Sequence, residues 1–533
     1  MARLRQSPYV VATAVAAVAF IAFSAWWLFY DHRIPGGGDA SRQLFTALTA
    51  GELMADARIG DLVELGPNGA FFYPPLVHWI GGVPAALGLP LEDWGTLALN
   101  LVFVPMLAAG CYGVGRLVFG PLAGLLAAVF ALATPMVLSM FHVFLLDAPL
   151  AAAIAIAVWA LLASENFSRR RQSVVAGALV GIALLVKSLA VIFLIGPVAV
   201  MILAGGWRQW RNLAFAGLAA LVVAGPYYAL HLSEVVSLSG QTTSSGQLQG
   251  EDLAFDPAGV YDRFSLDNFL YYGWVGINIQ YFVPFAAALV VGLVLAVRQV
   301  RTRPQVAPVL AGVIVSYLFL TFVLSIRDPR YSLPMIIFVA VLATGWIAEL
   351  RRPGIRGLCL SVLAAVVVVN VASAATERVP NVRLTISKSD SGDLRQPGSF
   401  TFADQRGSTV GAPRPDRFWD RLLAEAREQG VEMARYEAVE PVLWGSEPLG
   451  FAIVADDYGI EEHSYARKPA RAQLRINTWT SPTGRLLSLK VGAPRPCGIV
   501  EEGSNAAGTA PMPVRVAVRL RGDDGRLRRW CDF

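Results

Sequence analysis

Four stretches place ionisable side chains where an apolar sequence starts or stops. GGGDASR sets Asp39 three residues ahead of Arg42. FHVFLLDAPL carries His142 and then Asp147. GIALLVKSLA holds Lys187, the only lysine in the first 375 residues, and IRDPRYSLP holds Arg327, Asp328, Arg330 and Tyr331. Carboxylates supply proton transfer and cations supply anion binding. At membrane depth either is costly enough to be a functional hypothesis by default. Each has a plainer reading beside it. Asp39 and Asp147 suit helix N-caps, Asp147 with a proline close behind it. Lys187 suits a snorkelling side chain, Arg327 and Arg330 a surface pair with Asp328, and His142 a satisfied polar residue rather than a metal ligand.

These residues need elements to hold them, and composition says which. Of 533 residues, 55% are hydrophobic and 16% charged, against about 25% charged in soluble domains. Such a chain needs lipid as its solvent. Runs of about 20 apolar residues predict about eleven transmembrane helices near 8–30, 95–115, 121–138, 148–163, 174–187, 189–205, 213–231, 271–297, 306–325, 332–349 and 356–375. The division at Lys187 has the weakest signal. The excess of positive charge, +5 overall, lies in short arginine-rich loops. Placing the N-terminus inside makes every inner loop basic, among them Arg116, Arg169–Arg171, Arg208 and Arg211. No basic patch with interleaved aromatics speaks for nucleic acid. This reads as a polytopic α-helical protein of a bacterial inner (plasma) membrane, N-terminus cytoplasmic.

Residues 1–375 form the membrane domain, with outer loops at 31–73 and 232–270. In the first loop, Leu44, Phe45 and Leu48 mark a helix along the interface, with Gly51 as its stop. In the second, Ser237–Gly250 has the composition of a mobile segment. Residues 376–533 read as an extracytoplasmic soluble mixed α/β domain, with an amphipathic helix at 416–429 and alternating strands at 472–480, 485–491 and 514–520. Outside the cytoplasm, Cys497 and Cys531 are free to form a disulfide.

The order of features carries a resemblance: an outer-loop Asp39 with Arg42; then Tyr73, Pro74, Pro75, Leu76 and Trp79; then LLDAPL, GIALLVKS and RDPRYSLP. Over residues 8–350 it resembles the bacterial protein O-mannosyltransferase and aminoarabinose transferase family, membrane glycosyltransferases of the GT-C fold. The resemblance implies a polyprenyl-phosphate sugar as donor, a lipid, glycan or protein as acceptor, and transfer at the outer face. It implies Asp39 as base with Asp147 beside it in a catalytic role. Arg42, Lys187, Arg327, Arg330, Tyr331 and Tyr73 fall at positions around the donor phosphate. Where the family often has Glu after the loop Asp, this chain has Ala40; where it often has Lys before Pro-Pro, this chain has Tyr73. The missing acid weakens a metal site, for which Asp39, Asp147 and His142 are the candidates. No cofactor beyond a divalent metal is implied.

The expectation is an inverting, polyprenyl-phosphate-sugar-dependent hexosyl- or pentosyltransferase. The alternative is a transporter or flippase for a lipid-linked or anionic solute, which inverted repeats or mid-membrane charges would favour. A membrane-anchored binding protein is a third reading, though eleven helices exceed what an anchor needs.

Overall fold

The computed structural model describes residues 2–30, 33–35, 39–68, 73–87, 100–233, 235, 249–250, 263–324, 326–375, 380–386, 398–404, 411–413, 425 and 428, and strands 433–438, 461–462, 474–479, 498–504, 511–521 and 527–529; several of these, Asp39 and Arg42 included, by backbone alone. The helices in chain order are α1 (Ala2–Tyr30), α2 (Asp39–Ala55), α3 (Ile59–Asn68), α4 (Leu76–Ala86), α5 (Phe103–Phe119), α6 (Pro121–Leu132), α7 (Pro135–Phe141) and α8 (Asp147–Ala163). They continue as α9 (Arg170–Val186), α10 (Ala190–Leu203), α11 (Trp210–Leu230), α12 (Leu266–Val275), α13 (Phe282–Gln299), α14 (Val306–Phe322), α15 (Ile336–Glu349) and α16 (Pro353–Ala375).

Among the described residues each expected span coincides with helix, but several are interrupted. Among the described residues five helices are long and apolar enough to cross a membrane, or six if the bent pair α6–α7 counts as one. That pair bends by 62° where Thr134 is extended (ψ 127°) ahead of Pro135, as a residue before proline prefers. The bend turns the chain toward Asp147. Between α12 and α13 a π-helical turn, Gly276–Gln280, interrupts the expected span 271–297. The weakest boundary is real: α9 and α10 separate at Lys187, whose backbone is extended (φ −161°, ψ 133°). Gly51 does not stop α2, which runs on to Ala55. A Cβ at Gly82 of α4 would lie 2.6 Å from Gly51 N, so these two helices meet where both lack side chains.

Burial sorts the helices. The segment Pro329–Glu349 is 89% buried, whereas the other four long spans are only 17–22% buried. They turn Val15, Leu221, Val290 and Val362 outward, the reverse of a soluble protein and the pattern expected for lipid contact. Helices approach closely through small residues, as they do in membranes. A Cβ at Gly177 of α9 would sit 1.9 Å from the Ala216 carbonyl of α11, and one at Gly110 of α5 would sit 2.5 Å from Ala155 of α8.

Beyond α16, strands Val382–Thr385 and Ser399–Ala403 pair antiparallel. Thr401 Oγ1 donates to Asn278 Oδ1 at 3.0 Å, which ties this hairpin to the π-helical turn. A six-stranded mixed sheet follows, in the order 498–504, 511–521, 474–479, 433–438, 461–462, with 527–529 pairing outside 511–521. It includes the expected strands near 472–480 and 514–520. The expected helix 416–429, apart from Glu425 and Glu428, the strand at 485–491, the stretch 237–248, Cys497 and Cys531 lie outside the described residues.

Candidate active site

Asp147 is the first residue of α8, so its carboxylate sits at the positive end of a helix dipole. It does not act as the N-cap. It accepts a hydrogen bond from Lys187 Nζ at 3.0 Å. Lys187 reaches it from the break between α9 and α10, where the extended backbone leaves the helical path. Asp147 is 2% exposed and Lys187 6%, so Lys187 is an internal ion-pair partner and not a snorkelling side chain.

Two rings flank the ammonium. Lys187 Nζ stands 5.3 Å from the Tyr73 ring centroid and 4.9 Å from that of Tyr331, both within cation–π range. Tyr73 precedes Pro74–Pro75 at the entry to α4, and Tyr331 lies in the 3-10 turn Pro329–Met335. Asp328 caps that turn, accepting from the Arg330 N–H at 2.7 Å; its other oxygen accepts from Arg330 Nε at 2.7 Å and Nη2 at 2.5 Å. Arg330 is thus held by a carboxylate and lines the same cavity as Asp147, Lys187, Tyr73, Tyr331 and Gln43. The cavity volume is about 10 Å³, room for about one water.

Gln43 is a cavity residue that no sequence motif singles out. It lies one helical turn after Asp39, on α2. His78 Nε2–H of α4 donates to its Oε1, and both residues are buried. Burial holds the His78 imidazole near pKa 4, so the ring is neutral. The only signal for Gln43 was its i, i+4 spacing from Asp39. Asp39 and Arg42 lie on α2 with Gln43, and their side chains fall outside the described residues.

Arg327 is placed elsewhere. It is 4% exposed and donates to the carbonyls of Leu320, Thr321 and Leu324 at 2.8, 2.5 and 2.7 Å and to Asn268 Oδ1 at 2.7 Å. Those carbonyls end α14, so the guanidinium serves as a C-terminal cap and does not line the cavity. His142 is 1% exposed; its Nε2 is 3.2 Å from Ser24 Oγ. Asp147 and His142 therefore have separate partners, and among the described residues no three His, Cys, Asp or Glu side chains converge as a metal site.

The site therefore combines a buried cation, an arginine and two tyrosines around one small cavity. That set suits an anionic group entering from the helix ends, and the start of α2 brings a carboxylate-bearing segment to the same helix as Gln43.

Residues 73–228 match the family model described as dolichyl-phosphate-mannose-protein mannosyltransferase, a range that includes Tyr73, Asp147 and Lys187. The fold matches the crystal structure of ArnT from Cupriavidus metallidurans bound to undecaprenyl phosphate, with TM-score 0.59 and 18% identity over 96% of this chain and 98% of that one. The apo structure of the same protein gives TM-score 0.54 and 19% identity over the same shares. No curated protein matches the chain by sequence. The resemblance read from the motifs is thus borne out over residues 73–228, and the fold is that of ArnT.

Proposed function

We propose that this chain transfers a sugar, a hexosyl or pentosyl unit, from a polyprenyl-phosphate donor to a lipid, glycan or protein acceptor at the outer face of a bacterial inner membrane. The observation that carries this reading is the Asp147–Lys187 pair, 3.0 Å apart and walled by Tyr73, Tyr331 and Arg330. ArnT binds undecaprenyl phosphate in the same fold, which supports a donor of that class here.

Asp39 accepts the proton of the acceptor hydroxyl as general base. The hydroxyl oxygen attacks the anomeric carbon from the face opposite the phosphate. The bond from that carbon to the phosphate oxygen breaks, and its electron pair leaves on the lipid phosphate. Configuration inverts. Lys187 and Arg330, with Arg42 from α2, hold the departing charge. Asp147 is the positioning partner of Lys187: it keeps the ammonium in place and charged in a dry site until phosphate takes up part of the bond.

Binding of undecaprenyl phosphate to the purified protein, followed by native mass spectrometry, tests the site. Lys187→Met and Arg330→Gln should each weaken binding about tenfold or more, the scale of one lost charge-assisted bond. Unchanged binding in both folded variants would move the phosphate away from this cavity.

A further inference from the structure

The helices that carry Asp147 and Lys187 bound a second cavity at their other ends. α8 begins at Asp147 and has 17 residues, about 25 Å at 1.5 Å per residue. α9 ends at Val186, just before Lys187. Around the last turn of α8 and the first turns of α9 lies a cavity of about 950 Å³, also bounded by α5, α10 and residues 300–308. Its walls are apolar, with Ile156, Trp159, Leu162, Leu179 and Met201 among them, and its polar residues include Arg116, Arg169, Arg171 and Glu165. Glu165 is engaged by Arg169 at 2.5 Å. Arg116 comes from α5 and Arg171 from α9, so cations reach the cavity from two helices.

The turn joining α8 to α9 is a built structure. Glu165, Asn166 and Phe167 are left-handed in succession, with φ of 51°, 53° and 63°. Non-glycine residues hold that region only where their surroundings impose it. Here Ser164 Oγ accepts from the Phe167 N–H at 3.2 Å and donates to the Leu161 carbonyl at 2.6 Å. Asn212 Nδ2 of α11 donates to the Phe167 carbonyl at 2.7 Å, and the Phe167 ring is 2% exposed. The turn thus fixes Glu165 and Arg169 at the cavity.

We propose that this cavity seats an anionic phospholipid of the leaflet opposite the donor site. Its phosphodiester lies against Arg116 and Arg171, and an acyl chain lies along Trp159, Ile156 and Met201. Charge complementarity and the apolar walls together select a lipid: basic pockets between transmembrane helices suit anionic headgroups, whereas a soluble phosphate would leave the walls unused. None of these residues belongs to the proposed transfer site, so the inference stands whether or not that reading does.

The test is native mass spectrometry of the purified full-length protein with dioleoylphosphatidylglycerol, dioleoylphosphatidylcholine and glycerol phosphate, melting behaviour confirming that each variant folds. Phosphatidylglycerol should be retained over phosphatidylcholine. At roughly fivefold per arginine near an anionic headgroup, Arg116→Gln with Arg171→Gln should reduce that retention on the order of 20-fold. Arg208→Gln with Arg211→Gln, at the same end of the bundle but outside the cavity, should leave it unchanged, and Ala163→Phe should lower retention of the lipid by filling the cavity. An equal loss in the Arg208/Arg211 variant would make the preference general surface charge and overturn the proposal. So would full competition by glycerol phosphate, or retention unaffected by both Arg116→Gln/Arg171→Gln and Ala163→Phe.

Discussion

Lys187 Nζ donates to Asp147 Oδ1 at 3.0 Å between the rings of Tyr73 and Tyr331. The two residues are 40 apart in sequence, and each starts or ends a helix at the same edge of the bundle. The cation is compensated within the protein, so under the proposed function an incoming phosphate would share Lys187 with Asp147 rather than meet a naked charge.

That compensation has an energetic signature. Removing one member of a buried pair leaves the other charged and unpartnered, at a cost of about 3–5 kcal/mol, while replacing both by apolar groups is close to neutral. Lys187→Met and Asp147→Leu should each lower the melting temperature clearly, and the double variant should recover most of the loss. Thermal unfolding of the four proteins in one detergent gives the coupling energy. Additive losses would mean the two side chains do not act as a pair.

Arg327 should behave as a structural residue. Arg327→Lys cannot reach three carbonyls and Asn268 together, and unsatisfied buried carbonyls cost about 1–3 kcal/mol each. The variant should melt well below the parent yet, where folded, bind undecaprenyl phosphate as the parent does. A stable Arg327→Lys protein that has lost phosphate binding would return Arg327 to the donor site.

His78 gives a pH dependence. Its folded pKa of about 4 lies below the ordinary 6.5, so the unfolded chain takes up the proton first. Stability is therefore complete above about pH 6.5 and falls as pH drops toward 4, by up to roughly 3 kcal/mol for this one group. His78→Gln should flatten that part of the stability–pH curve while keeping an amide donor toward Gln43. An unchanged slope in the variant would assign the pH dependence to other groups.

Much of this arrangement was legible in the sequence because lipid imposes simple rules. Runs of apolar residues located the helices, and charges at their ends located Asp147, Lys187, Arg330 and Tyr331, which the fold brings to one cavity with Tyr73. What stayed hidden depends on tertiary partners. IRDPRYSLP shows two arginines of equal promise, and only the carbonyls at the end of α14 separate Arg327 from Arg330. Gln43 looked like any polar residue on an interfacial helix until His78 and the cavity stood beside it. Gly51 read as a helix stop because its close packing on Gly82 is invisible in one dimension.

The proposed function requires transfer of sugar from a polyprenyl phosphate, which a donor-consumption assay detects. Purified protein in liposomes would be given undecaprenyl-phosphate-linked glucose, mannose, aminoarabinose and arabinose with an extract of envelope acceptors, and released undecaprenyl phosphate would be counted. The expected result is consumption of at least one donor with one undecaprenyl phosphate freed per sugar transferred, falling about 10²- to 10⁴-fold in Asp39→Asn, which retains a good helix N-cap and donor binding. Donors that are bound or moved across the bilayer with their sugars still attached, or equal turnover by the parent and Asp39→Asn, would contradict it.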